Sequence, residues 1–568
     1  MTIHFPRDAR VGGDDELPVV RPLAALRDLD EVEFGGLLDD EGPALPGAGA
    51  LDENESGVRE ARLGSITGFS GRLSDLNRQA CDGGPRDRDR CFSQASMCNA
   101  GCALGLTSFI VDAAIVHHGP VGCAVTAMGT ANSKDQLAGR LGLDNSHSGY
   151  VSTDMGESDT VFGSTETLGE VIRETHRRYQ PQALFIGASC VSGVIGEDLE
   201  GVSRELSDEL GVPVAPIHCE GFRTKIWASG FDAAFHAILT HIVKPPQTKR
   251  PVVNVINFFG GARKEITELF ARFGVEPLFL ITNTSIEQLS RLSESVATVS
   301  TCGTLGTYLG TGLQQRYGVP YVRSLQPHGI AGFEDWLRQL GEVLGKSAEV
   351  EEYLLEQREK YLPRILEVKE KLSGLRAVVG MGPGFNFNTT RALQELGIRI
   401  EHAALWHFDK QYDDGKPPAS FEYLVQNSPQ DYSLSVSDLQ NHELVNVLTH
   451  VRPDVYFSRH PSSTVWAMKL GIPALCVVDE YAIFGYRGLL EFGYSVLDIV
   501  TNRSFTDNLS RRVKLPYTDW WYAQQYHHFL DGNPGSASGG DPGADPGQDP
   551  DHATALGRRI EKEETAGV

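Results

Sequence analysis

The stretch ALFIGASCVSGVIGEDLEGVSRELSDELGVPVAPIHC (183–219) holds the reading of the fold. Its ends, ALFIGAS (183–189) and PVAPIHC (213–219), are short apolar runs, and between them lie a Ser-Cys turn and an amphipathic stretch. A strand buried on both faces reads as such a run, and a helix crossing between two of them makes a parallel βαβ unit. The unit recurs at VVNVINF (252–258), PLFLIT (277–282), ATVSTC (297–302), VPYVRSL (319–325), RAVVGMG (376–382), DVYFSR (454–459) and PALCVVD (473–479). At ~150 residues per domain, 568 residues allow three or four domains. The expected fold is α/β, with three doubly wound, Rossmann-like domains built on parallel sheets at 66–245, 246–372 and 373–530. The segment SAEVEEYLLEQREKYLPRILEVKEKL (347–372) is expected to be a linking helix interrupted at Pro363.

Residues 1–65 are rich in Asp, Glu, Gly and Pro and read as an extended or disordered arm; 531–568 read as a flexible acidic tail. Neither end is expected to carry catalysis. With 40% hydrophobic and 22% charged residues, the chain has an ordinary globular composition. A formal net charge of -24 would repel a phosphate backbone, so nucleic acid is not an expected partner. The longest apolar runs, such as PVVNVINFF (251–259), fall well short of the roughly 18 residues that span a bilayer, and no membrane association is expected. The N-terminus MTIHFPRDARVGGDDE has no apolar segment flanked by positive charge, which points to the cytoplasm. In that reducing setting nine cysteines call for an explanation other than disulfides.

In open α/β sheets ligands sit at the carboxyl ends of strands, so the turns carry the chemistry. FFGGARKE (258–265) and GMGPGFNFNTT (380–390) lack a dinucleotide fingerprint or a P-loop pattern and read as structural turns; no ATP site is expected on this chain. The cysteines are more informative. MCNAGC (97–102), HHGPVGC (117–123), GASC (187–190) and STCG (300–303) place thiols beside glycine at element ends, where small neighbours leave room for an iron-sulfur cluster. No C-x2-C pair exists, so zinc is the weaker reading, and spacing alone leaves a cluster at Cys98, Cys123 and Cys190 and separate buried thiols both open.

HHGPVGC (117–123), ASCVSGVIGEDLE (188–200), HCEGFR (218–223), STCGTLGTYLGTGLQQRYGVPYV (300–322) and MKLGIPALCVVDEYAIFGYRG (468–488), in this order, resemble the alpha chain of the nitrogenase molybdenum-iron protein and its relatives. Those relatives include cofactor-assembly scaffolds, protochlorophyllide reductase and methylthio-alkane reductase. The resemblance implies that Cys98, Cys123 and Cys190 ligate a P-cluster-like cluster shared with a beta-type (K-like) subunit, with Cys102 a rival for the first position. It implies that Cys302 anchors a large iron-sulfur cofactor lying between the domains, with Arg223 as a further contact. It also implies an alpha2beta2 heterotetramer fed by a homodimeric, ATP-hydrolysing iron protein. The departures matter too. Trp227 and Phe231 stand where nitrogenase presents Gln and His, and VTAMGTANS (125–133) lacks an expected Arg, so the substrate pocket gains apolar walls. The family's His ligand is absent from PALCVVDEYAIFGY (473–486), leaving His407 or His460 to replace it, and SRHPSSTVW (458–466) lacks a Lys, leaving homocitrate open. These features suit a hydrophobic organic substrate, and the resemblance implies a small organic sulfur compound. The expected function is methylthio-alkane reductase, with a cofactor-assembly scaffold or a nitrogenase proper as the alternatives.

Overall fold

The computed structural model describes residues 58–90, 93–94, 98–125, 149–257, 262–281, 283–413, 415–438, 440–477, 482–528 and 530. The acidic tail and the arm up to residue 57 lie outside these residues. Among the described residues, thirteen strands form three sheets. The first contains β2 (Ala113–His118), β3 (Tyr150–Ser152), β4 (Ala183–Ala188) and β5 (Val214–Ile217), ordered β3-β2-β4-β5 and all parallel. β2 and β4 are buried at every residue, which is why they read as unbroken apolar runs. The second is β6 (Arg250–Asn257), β7 (Glu276–Ile281) and β8 (Ser295–Ser300), ordered β7-β6-β8 and parallel. The third joins β9 (Arg376–Met381), β10 (Arg399–Leu405), β11 (Ser433–Val436), β12 (Val455–Ser458) and β13 (Ala474–Cys476) in the order β11-β10-β9-β12-β13. These five are parallel, and β1 (Phe69–Arg72) adds an antiparallel edge beside β11.

In each sheet the strand order reverses once: between β2 and β4, between β6 and β8, and between β9 and β12. Crevices open at the carboxyl ends of strands at such points. The loops and first helical turns that follow those strands hold Cys123 and Cys190, then Cys302, then Gly384, Arg459 and His460. One apolar core runs through all three domains, from Phe185 and Phe235 through Val255 and Phe270 to Phe387 and Phe457. No described helix is long and apolar enough to cross a membrane.

Four details depart from the sequence reading. Residues 58–65 are not part of an arm: Arg59 is fully buried, and Ile66 pairs with Phe408. Residues 66–90 join the third domain, not the first, because β1 pairs with β11 and Arg90 forms a buried ion pair with Glu443. Helix Ser347–Leu372 runs without a break through Pro363, held along its length by helices Gly329–Leu344 and Gly485–Thr501. VPYVRSL forms no strand; it touches its sheet only where Tyr321 bridges Thr298.

β10 escaped the sequence reading because His402 interrupts its apolar run. The imidazole is buried between strands and shares hydrogen bonds with Ser433 Oγ at 2.8 Å and Ser435 Oγ at 2.9 Å. Burial pushes it down to about 3, so the folded state holds it neutral. The unfolded chain takes up a proton below about pH 6.5 that the folded chain refuses, so stability falls with falling pH by up to about 1.4 kcal/mol per unit. Between pH 6.5 and 5, a His402→Gln chain should lose about 2 kcal/mol less stability than the parent, as measured by urea unfolding at both pH values.

Candidate functional site

A cavity of about 320 Å³ lies where the three domains meet. The first domain contributes Cys102 and Leu106 from helix Asn99–Thr107, and Trp227 and Phe231 around the start of helix Ser229–Ala237. The second contributes Cys302 and Thr304 from the loop after β8. The third contributes Gly384 and Phe385 after β9, Trp406 and His407 after β10, and Arg459 and His460 after β12.

Cys302 is 1% exposed, and its Sγ accepts a hydrogen bond from Leu305 N–H at 3.5 Å and lies 3.4 Å from Thr304 Oγ1. Gly384 faces it so closely that a Cβ there would stand 2.7 Å from the sulfur. Of the three glycines in the GMGPGFN turn, Gly384 is the one set against the sulfur; Gly380 faces the Tyr456 hydroxyl and Gly382 the Trp406 ring. Trp227 and Phe231 line one side of the cavity. Trp227 is oriented by donating from Nε1 to Asp438 Oδ1 at 3.0 Å, with Trp406 at 5.6 Å and Phe231 at 6.3 Å between ring centroids. His460 packs edge-on against Trp406 at 4.6 Å. Burial holds both His460 and His407 down to about 4, so both imidazoles are neutral at pH 7 and competent as metal ligands. His407 Nε2 is buried and makes no hydrogen bond among the described residues; Asp409 Oδ1 lies 3.9 Å away. Arg459 stacks over Phe385 with its guanidinium carbon 3.8 Å from the ring centroid.

A second group of thiols gathers at the surface. Cys98 precedes helix Asn99–Thr107, Cys123 follows β2, and Cys190 begins helix Cys190–Ile195 after β4; all three are exposed. A Cβ on Gly221 would stand 2.9 Å from Cys98 Sγ and 3.5 Å from Cys190 Sγ, so both thiols converge on this glycine. Partial burial, with the neighbouring Cys190 and Cys98, raises the Cys123 thiol. Gly221→Ala should therefore displace the Cys98 sulfur, leaving Cys190 Sγ at ordinary contact distance, and lower the iron that these thiols take up about tenfold, measured by iron analysis, with little change in melting temperature. Around the thiols lies an apolar surface: Val121, Val125, Val161, Phe162, Val194 and Phe222 are exposed, Phe162 to 87%. No three His, Cys, Asp or Glu side chains among the described residues gather tightly enough to hold a single metal ion.

Two sequence expectations are corrected here. Cys102 does not join the surface thiols: it is buried, one helical turn beyond Cys98, and lines the cavity. Arg223 does not reach the cavity; it pairs with Glu220 at 3.0 Å, beside His218, on the thiol side of the domain. Sequence reasoning also missed Trp406, Arg459 and the Arg59 ion pairs, which tertiary contacts alone bring to the site.

The sequence profile of the nitrogenase component 1 type oxidoreductases matches residues 98–501, more than half of the chain. The chain belongs to that family. The nitrogenase molybdenum-iron protein alpha chain of Methanosarcina barkeri is 26% identical over 70% of this chain and 85% of its own length. The nitrogenase iron-molybdenum cofactor biosynthesis protein NifE of Methanococcus maripaludis is equally similar, at 26% identity over 76% and 89%. Among solved structures, nitrogenase Cp1 at pH 5 superposes with a TM-score of 0.60 at 22% identity, over 76% of this chain and 94% of that one, and shares the fold. The profile begins at Cys98, the first surface thiol, and takes in every cavity and surface cysteine named above.

Proposed function

We propose that this chain is the alpha-type catalytic subunit of a nitrogenase-like reductase that cleaves the C–S bond of small methylthio compounds, as methylthio-alkane reductase does. The reaction balances as R–S–CH3 plus two electrons and two protons giving R–H and CH3SH. The observation that carries this reading is the cavity: the buried thiol of Cys302 faces a wall of Trp227, Phe231 and Trp406 with neutral His407 and His460 beside it, and a second buried thiol, Cys102, lines the first-domain side. The donor set fits a large iron-sulfur cofactor, since a buried thiol, an imidazole nitrogen with no hydrogen bond among the described residues and a glycine set against the sulfur leave room and ligands for one. When bound, that group supplies low-potential electrons and the metal centre for bond cleavage.

The chain's own residues do the rest. Cys302 anchors, and His460 or His407 is the second ligand. Aromatic walls exclude water and favour an apolar substrate over one that must be hydrogen-bonded. Arg459 supplies a positive charge suited to an organic acid such as homocitrate. Cys98, Cys123 and Cys190, ringed by exposed apolar side chains, suit a P-cluster-like group shared with a beta-type subunit in an alpha2beta2 assembly. A homodimeric, ATP-hydrolysing iron protein is the electron donor in this reading. The matched identity of NifE keeps one alternative, a scaffold that builds a cofactor and releases it. The test combines the anaerobically purified complex with the iron protein, ATP and a small methylthio compound. Methanethiol release is expected. Its absence, with metal that transfers to cofactor-free nitrogenase, would replace the enzyme by the scaffold.

A further inference from the structure

We infer that Val58–Ile66 is a clasp that holds the cavity walls together, with Arg59 as its positioning residue. The Arg59 guanidinium is fully buried and reaches all three domains. Nη1 donates to Asp232 Oδ2 at 2.9 Å, Nε to Asp409 Oδ1 at 3.4 Å, and Nη2 to Asp409 Oδ2 and to the Thr304 carbonyl at 3.4 Å. Each partner sits beside a cavity residue: Asp232 follows Phe231, Thr304 lies two residues after Cys302, and Asp409 two residues after His407.

The rest of the segment repeats the pattern. Glu60 accepts from Thr224 Oγ1 and, at 3.2 Å, from Ile226 N–H, fixing the turn that presents Trp227. Arg62 pairs with Asp232 and Asp413 and lies over the Tyr308 ring at 4.8 Å. Ser65 donates to Asp409, and Ile66 exchanges backbone hydrogen bonds of 2.8 and 3.1 Å with Phe408, so the clasp grips both sides of the His407 strand end. A planar guanidinium can hold three acceptors in fixed directions at once, which a lysine ammonium on a flexible stem does not. This inference deepens the proposed function, resting on it only for what the cavity holds.

The test is alkylation of the full-length, cluster-free chain by iodoacetamide, followed cysteine by cysteine with mass spectrometry. Exposed Cys98, Cys123 and Cys190 report reagent access. Cys219, fully buried against the Ala188 carbonyl, reports global unfolding. In Arg59→Met, Cys302 and Cys102 should react at least about tenfold faster than in the parent while Cys219 keeps its parent rate. Arg59→Lys should recover part of the protection. Glu60→Ala should give a smaller, cavity-only rise of about threefold, and these two variants carry the test if Arg59→Met does not fold. No acceleration at Cys302 in any folded variant, or equal acceleration at Cys302 and Cys219 in all three, would overturn the inference. Because no cluster is present, the result is independent of whether Cys302 anchors one.

Discussion

Gly384→Ala should lower metal in the cavity by about ten- to hundredfold while leaving the fold in place. The added Cβ would stand 2.7 Å from Cys302 Sγ, 3.1 Å from Thr304 Oγ1 and 3.3 Å from Gly303 N. The first distance is shorter than such contacts tolerate, and the atom that must give way is the sulfur that has to face the cavity. The glycine lies in helix Pro383–Glu395 with no positive φ, so alanine brings no backbone strain there and should restore some helix propensity. The stability cost is that of overpacking, about 1–3 kcal/mol, small beside the loss of metal. Iron analysis and thermal unfolding on one sample separate the two effects. A variant with full iron would mean that Cys302 does not need the space opposite Gly384.

Cys190→Ser should cut turnover by at least about a hundredfold with a stability change within about 0.5 kcal/mol. Cys190 is exposed and supports no part of the core, so its removal leaves the sheet and helix untouched. A serine hydroxyl keeps the size but loses the thiolate that binds iron at neutral pH. In the proposed function this group carries electrons to the cavity and lies at the seam with the beta-type subunit. The variant should therefore also release the partner during gel filtration. Retention of both activity and partner would show that the surface thiols play no part in electron delivery.

The sequence revealed the parts of this molecule that are local. Strands β2, β4 and β6 lie buried on both faces, and that burial writes itself as apolar runs whose turns then stand out. β10 was hidden because one buried polar group, His402, breaks its run, and its partners Ser433 and Ser435 lie more than thirty residues away. The site divided in the same way. Cys302 was legible from the STCG turn, but Arg59 pairs with Asp232 and Asp409 across 173 and 350 residues, and an Asp- and Glu-rich surrounding sequence gave it the look of an arm. Arg223 was misplaced because proximity in sequence to a cysteine motif says nothing of direction: Glu220, three residues before it, takes the guanidinium. Cys102 stayed a rival of Cys98 because four residues of helix separate two different sites, a turn that only the cavity shared by Cys102, Phe231 and Cys302 resolves.

In the proposed function this chain carries two separate metal groups, one on the surface thiols and one on Cys302. Its most direct test is iron, molybdenum and vanadium analysis of the anaerobically purified complex with the beta-type partner, parent against Cys302→Ala. The substitution should remove the larger share of the iron, with any molybdenum or vanadium, and leave only the amount held by Cys98, Cys123 and Cys190 with the partner. Equal iron in both proteins would contradict it, making Cys302 a structural thiol and the cavity something other than a cofactor site.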